Sequence, residues 1–122
     1  MDVLRFHKFT IGHAWVSDYG NPDKKQDFDV ILEYSPVHNV KKQPLPAVLI
    51  MTGDHDDRVV PLHSLKLLAT LQHICSDNEN PILGRIDTKS GHGAGKSTQQ
   101  VIQESTDKYC FIAHILKASW TE

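Results

Sequence analysis

Two short polar stretches hold the residue types from which catalysis is built. "GDHDDR", residues 53–58, places Asp54, Asp56 and Asp57 around His55, and "SGHGAGKST", residues 90–98, sets His92 among glycines ahead of Lys96. An aspartate that accepts the Nδ1–H of a histidine holds its tautomer and stabilises the imidazolium, which leaves Nε2 to take a proton from a hydroxyl nucleophile. A phosphate-binding loop is the competing chemistry for the second stretch. It needs a glycine, four residues, then Gly-Lys-Ser/Thr. Gly95, Lys96 and Ser97 supply the end of that pattern, but its first position falls on Ser90, and Gly91 stands one residue too close. The glycines therefore suit a sharp turn that presents His92 better than a cradle for phosphate. His55 among three aspartates also has the composition of a metal site. Neighbours crowded on one short loop seldom converge on a single ion, so no metal and no cofactor is expected.

For Asp56 and His92 to meet, two loops must leave the same end of a scaffold. Residues 47–52, "AVLIMT", form a near-continuous apolar run between Pro46 and Gly53, the pattern of a strand covered on both faces. Pro61 suits a first helical turn, and Leu65, Leu68, Leu71 and Cys75 then recur at helical spacing to about residue 76. Residues 81–87, "PILGRID", read as a second strand, and residues 98–118 as a closing helix with Val101, Ile102, Ser105, Tyr109, Ile112 and Leu116 on one face. Upstream, a helix is expected over 23–34, a proline-rich loop after it, and over 1–22 a strand end that runs into a long loop with one helical turn. Strand, crossover helix, parallel strand and helix make an α/β unit. In open α/β sheets the functional loops follow the carboxyl ends of the strands, and both polar stretches lie there.

The composition narrows the partners. With 122 residues, 39% hydrophobic, 23% charged and a formal charge of −2, the chain suits one globular unit and not a nucleic-acid binder, since it offers no basic run. Its longest apolar run is far too short to cross a membrane. Asp2 follows Met1 where a secretory leader would continue with basic and apolar residues, so a cytoplasmic location is expected. Cys75 and Cys110 lie in helical patterns, which predicts reduced packing thiols rather than a disulfide.

Four separated stretches, "FHKFTIGHAWVSDYG", "YSPVHNV", "DHDDRVVPLHS" and "GHGAGK", occur in an order that resembles the C-terminal end of the prolyl oligopeptidase (prolyl endopeptidase) catalytic domain. The likeness covers nearly the whole chain. It implies the C-terminal part of an α/β-hydrolase fold, parallel strands with crossover helices in an incomplete sheet, with residues 1–122 as one portion of that domain. It implies a cytosolic serine endopeptidase that cuts short peptides on the carboxyl side of proline and carries a β-propeller. By the same resemblance Asp56 matches the triad acid and His92 the general base. Arg58 matches an arginine that bonds a substrate carbonyl, Trp15 an indole that stacks on the proline ring, and Tyr19 and Val59 further pocket walls.

Each assignment has a plainer rival. Trp15 could be core, Arg58 could pair with Asp54 or Asp57, Asp54 could bond the turn after its strand, and Asp57 could cap the next helix. One component is missing altogether. No G-x-S-x-G occurs, for Ser17 lies in "WVSDY" and Ser35 in "EYSPV". The chain is thus expected to be a portion that needs an upstream hydrolase segment, with its nucleophile, and the propeller, and to be inactive alone. The alternative expectation is an inactive interaction module.

Overall fold

The computed structural model describes residues 1–93 and 95–119. Strand β1 (Val48–Gly53) and strand β2 (Ile82–Asp87) pair in parallel, from Val48 opposite Ile82 to Gly53 opposite Asp87. A parallel pair needs a crossover, and helix α3 (Leu62–Ile74) provides it. Gly84 lets α3 sit close, because a Cβ there would lie 2.4 Å from Leu68 Cδ2. Helix α4 (Thr98–Leu116) follows β2, and its start is set locally by a capping box. Ser97 Oγ accepts the Gln100 N–H at 3.2 Å, and Gln100 Oε1 accepts the Ser97 N–H at 2.8 Å.

Ahead of the sheet come a four-residue helix α1 (Val16–Tyr19) and helix α2 (Lys25–Tyr34), with a short 3-10 turn at Pro36–His38. The strand end expected within residues 1–22 does not form. The segment folds instead as 3-10 turns, Phe6–Lys8 and Thr10–Trp15, which run into α1. Its anchor is polar. Asp2 is fully buried, its carboxylate bonded to Arg5 at 2.9 Å and to Lys66 of α3, and its N–H donates to His63 Nδ1 at 3.2 Å. Val3 N–H donates to the buried Ser35 Oγ at 3.1 Å. Burial opposes the charge of Asp2, but Lys66 and Arg5 outweigh it and hold the carboxyl below its ordinary range. An aspartate inside an apolar-start segment reads as a surface residue in sequence, so this pin was not visible there.

The apolar interior is small. Phe6, Ile31, Cys75 and Ile82 are the buried apolar side chains among the described residues. β1 is half-buried along most of its length, although its composition suits cover on both faces. On α4 Glu104, Asp107, Phe111 and Ile115 are half-buried, and Asp107 pairs with Arg85 of β2 at 2.7 Å. The face read from its periodicity is mostly the outer one: Val101, Ile102, Tyr109, Ile112 and Leu116 are exposed, Leu116 to 70%, and Ser105 is half-buried. Cys75 packs as expected, whereas Cys110 is exposed and fills no core. Exposed Phe28, Val30 and Leu32 on α2 extend the uncovered apolar surface.

A free β1 edge and two uncovered helix faces leave little to offset the entropy of ordering the chain. The isolated 122-residue chain is therefore expected to be largely aggregated or partly folded and to bind a hydrophobic dye. A monodisperse sample with a cooperative thermal transition would contradict this.

Candidate active site

The parallel register ends both strands at one rim, and the loops that follow them interlock. Gly53 closes β1 against the next loop so tightly that a Cβ would lie 2.2 Å from Ser90 O. The Ser90 N–H donates to Asp54 Oδ1 at 3.3 Å, and the His55 N–H donates to Ser90 O at 3.0 Å. Beyond Ser90 the chain turns through Gly93 at φ 115° and Gly95 at φ 82°, backbone that side-chain-bearing residues rarely adopt. His92 stands at this turn with its side chain 43% exposed.

Asp56 is the group that faces it. Its Oδ2 lies 2.7 Å from His92 Nδ1, while its Oδ1 accepts the N–H groups of Arg58 at 3.0 Å and Val59 at 2.8 Å. The second pair is an Asx-type turn, which winds residues 57–59 around the carboxylate. Burial works against the Asp56 charge, but the Val59 N–H, His92 and the Arg58 N–H together hold its pKa below the ordinary carboxylate range. An ionised acceptor at Nδ1 favours the tautomer with its proton there, leaving Nε2 as the lone-pair nitrogen.

The other aspartates do different work. Asp54 bonds His55 Nδ1 at 2.7 Å, within the turn after its strand, and also the Ser90 N–H of the loop after β2, so it ties loop to loop. Asp57 caps nothing: Pro61 occupies the N-cap of α3 and no side chain bonds there. No ion pair joins Arg58 to Asp54 or Asp57, and Arg58 is exposed. Among the described residues no three His, Cys, Asp or Glu side chains gather as metal ligands would. Lys96 and Ser97, the residues that suggested a phosphate loop, are engaged by carboxylates and by the α4 cap.

Beside His92 opens a cavity of about 370 Å³, lined by Trp15, Tyr19, Arg58 and Val59 together with His92 itself. That volume lies in the lower part of the range of small-ligand pockets, roughly 300–1,000 Å³. Trp15 is half-buried at its wall, neither core nor free surface. Tyr19 meets Phe6 edge-on, with centroids 5.7 Å apart. Two elements distant in sequence thus supply one wall each: α1 and the turns before it carry the aromatics, and the Asp56 turn carries Arg58 and Val59. The sequence reading omitted Phe6, Phe9 and His63, which also line this cavity. His63 lies four residues beyond Val59, but Val59 precedes α3, so no helical spacing links the two in the sequence.

The chain matches the family described as "Prolyl oligopeptidase family" over residues 1–119. It is 58% identical to "Prolyl oligopeptidase A" of Galerina marginata across 99% of its own length and 16% of the relative's. To the "Dual function macrocyclase-peptidase POPB" of Amanita bisporigera it is 50% identical, across 98% of its length and 17% of the relative's. The solved structure of prolyl oligopeptidase B from Galerina marginata, bound to a 35mer hydrolysis and macrocyclization substrate, superposes with a TM-score of 0.90 at 48% identity. That match covers 99% of this chain and 17% of the other. The chain therefore spans about a sixth of the length of the relatives it matches.

Acid should weaken this arrangement through Asp56. Its folded pKa lies below the unfolded value of about 3.9, so its contribution to stability is complete above that value and is lost as pH falls through the folded pKa. With this segment grafted in place of the matching part of the complete Galerina marginata relative, melting temperature should drop more steeply below about pH 4 in the parent than in Asp56→Asn. Parallel acid limbs would show that Asp56 carries no such linkage.

Proposed function

The chain belongs to the prolyl oligopeptidase family, and we propose that it supplies the acid, the base and part of the specificity pocket of a serine endopeptidase. The substrate is a short peptide, cut on the carboxyl side of proline. The observation that carries this reading is the 2.7 Å contact between His92 Nδ1 and the buried Asp56, set beside a cavity walled by Trp15 and Arg58.

In this reading a serine hydroxyl from the upstream hydrolase segment attacks the scissile carbonyl, and His92 Nε2 takes its proton. The imidazolium that results is stabilised by Asp56, which stays ionised, and the proton then passes to the departing amine. Water, deprotonated by the same nitrogen, releases the acyl group from the serine. The Trp15 indole offers a flat apolar face for a proline ring, which has no amide N–H to satisfy, and Arg58 donates to a substrate carbonyl. Tyr19 and Val59 complete the walls. Alone, the 122 residues contain no nucleophile elbow and are inactive. The uncovered faces of β1, α2 and α4 fit the same reading, since an upstream segment and its strands would cover them. They also suit the second reading, an inactive module that docks on a larger partner.

The graft into the complete relative separates the two. A working peptidase that loses turnover on His92→Ala, and by about 10⁴ on Asp56→Asn, supports the triad roles. Asp54→Asn keeps an acceptor oxygen for Ser90 and should retain most activity. Loss in Asp54→Asn with activity kept in Asp56→Asn would name the wrong aspartate, and an inactive parent graft would favour the docking module.

Trp15→Ala tests the pocket. A stacked aromatic contributes about 0.5–1.5 kcal/mol beyond its area, so preference for proline over alanine before the cut should fall by roughly two- to tenfold in kcat/KM. An unchanged preference would make Trp15 a bystander at the cavity wall.

A further inference from the structure

Lys96 has no part in the chemistry described above, yet it is one of the less exposed cations of the molecule, at 13% for the side chain. It stands four residues past His92, at the far end of the glycine turn. Its ammonium lies 3.4 Å from Asp87 Oδ2, at the end of β2, and bonds Glu104 on α4. Both partners sit on regular elements, whereas Lys96 sits on the loop. Asp87 and Glu104 therefore tie one point of the loop to the end of β2 and to the first half of α4.

Three further observations give that contact a purpose. Gly93 and Gly95 have nothing within 4 Å of where a Cβ would stand, so neither glycine is packed against another element on that side. Asp87 Oδ2 is buried without a hydrogen bond, and its carboxylate is offset by two cations, Lys96 at 3.4 Å from Oδ2 and Arg85 at 3.3 Å from Oδ1. A second cavity, about 230 Å³, is lined by Asp56, His92, Gly93, Lys96 and Glu104, which leaves the imidazole room to move if the loop is released. On the other side of His92 the loop is held by Ser90, bonded to Asp54 and His55. Glutamate hydrogen bonding keeps Lys96 charged, with its pKa raised above the ordinary lysine value despite partial burial.

We propose that Lys96 is a positioning residue: through Asp87 and Glu104 it clamps the downstream end of the glycine turn and so holds His92 at the distance from Asp56 and the pocket that proton transfer needs. The Gly-Lys-Ser signature thereby acquires a role that involves no phosphate. This inference rests on the assignment of His92 as general base.

The test uses the complete graft described above and a proline-containing peptide, with folding followed by thermal melting. Lys96→Met should lower kcat by on the order of 10²-fold, the scale of a misplacement near 1 Å, with KM little changed because the Trp15 and Arg58 walls lie on other elements. Lys96→Arg, which can span both carboxylates, should restore most of the loss. Glu104→Gln removes one of the two charges, and should give a smaller loss of kcat while the protein stays folded. A parent graft without cleavage would overturn the peptidase reading itself. An active parent with full kcat in Lys96→Met, or in Glu104→Gln if Lys96→Met does not fold, would overturn the clamp alone. So would a loss carried by KM rather than kcat.

Discussion

A single buried carboxylate joins the two halves of the site. One oxygen of Asp56 faces the His92 ring, and the other gathers the N–H groups of Arg58 and Val59. Orientation of the ring and shape of the pocket wall therefore depend on the same ionised group. Its charge survives burial because three donors converge on it, and a carboxylate so surrounded is harder to protonate than a free one. Two of those donors are local, and the strand pairing brings the third, His92, to it. Parallel pairing delivers both loops to one rim, and Gly53 lets the second loop pass directly against the end of the first.

The pocket needs a second constraint of the same kind. Residues 1–19 contain no strand and bury one large apolar side chain, Phe6, so packing alone would hold them loosely. Asp2 replaces packing with charge: it binds Arg5, Lys66 and, through its N–H, His63. Lys66 and His63 belong to α3, the same helix that spans the two strands. The aromatic wall is thus referred to the sheet through one helix, and Trp15 and Tyr19 arrive opposite Arg58 and Val59. A buried carboxylate costs desolvation, and its pairing with the more exposed Lys66 and Arg5 is not a large source of net stability. Its value here is geometric, since it admits few alternative placements.

Outside the site the molecule looks unfinished in a consistent way. β1 has one partner, α4 turns a row of apolar side chains outward, and α2 does the same with Phe28, Val30 and Leu32. Those surfaces are the ones a larger sheet and its helices would cover, and the chain spans about 16% of its 58%-identical relative. Their exposure and the absence of a nucleophile elbow have one explanation in the proposed enzyme. The polar rim, by contrast, is already assembled.

Sequence alone determined the elements from α2 onward and their order. Apolar runs bounded by Pro46 and Gly53, and the recurrence of Leu65, Leu68 and Leu71, report local backbone preference, which neighbours along the chain largely decide. β1, α3, β2 and α4 accordingly lie within a residue or two of where those patterns put them. The fold class and the family were also legible, because four motifs in order carry more information than any one residue. What the chain could not express was which faces meet. The outward stripe of α4 has the same periodicity as a core stripe, and only the folded chain, in which Glu104, Asp107, Phe111 and Ile115 are half-buried and Asp107 pairs with Arg85, distinguishes them. Asp2 has no local pattern that marks it as buried. Its burial depends on Lys66 and His63, more than sixty residues away, and such long-range pairing is decided by tertiary packing. The same holds for Lys96, whose phosphate-loop spelling is local and whose ion pairs with Asp87 and Glu104 exist only once β2 and α4 lie side by side.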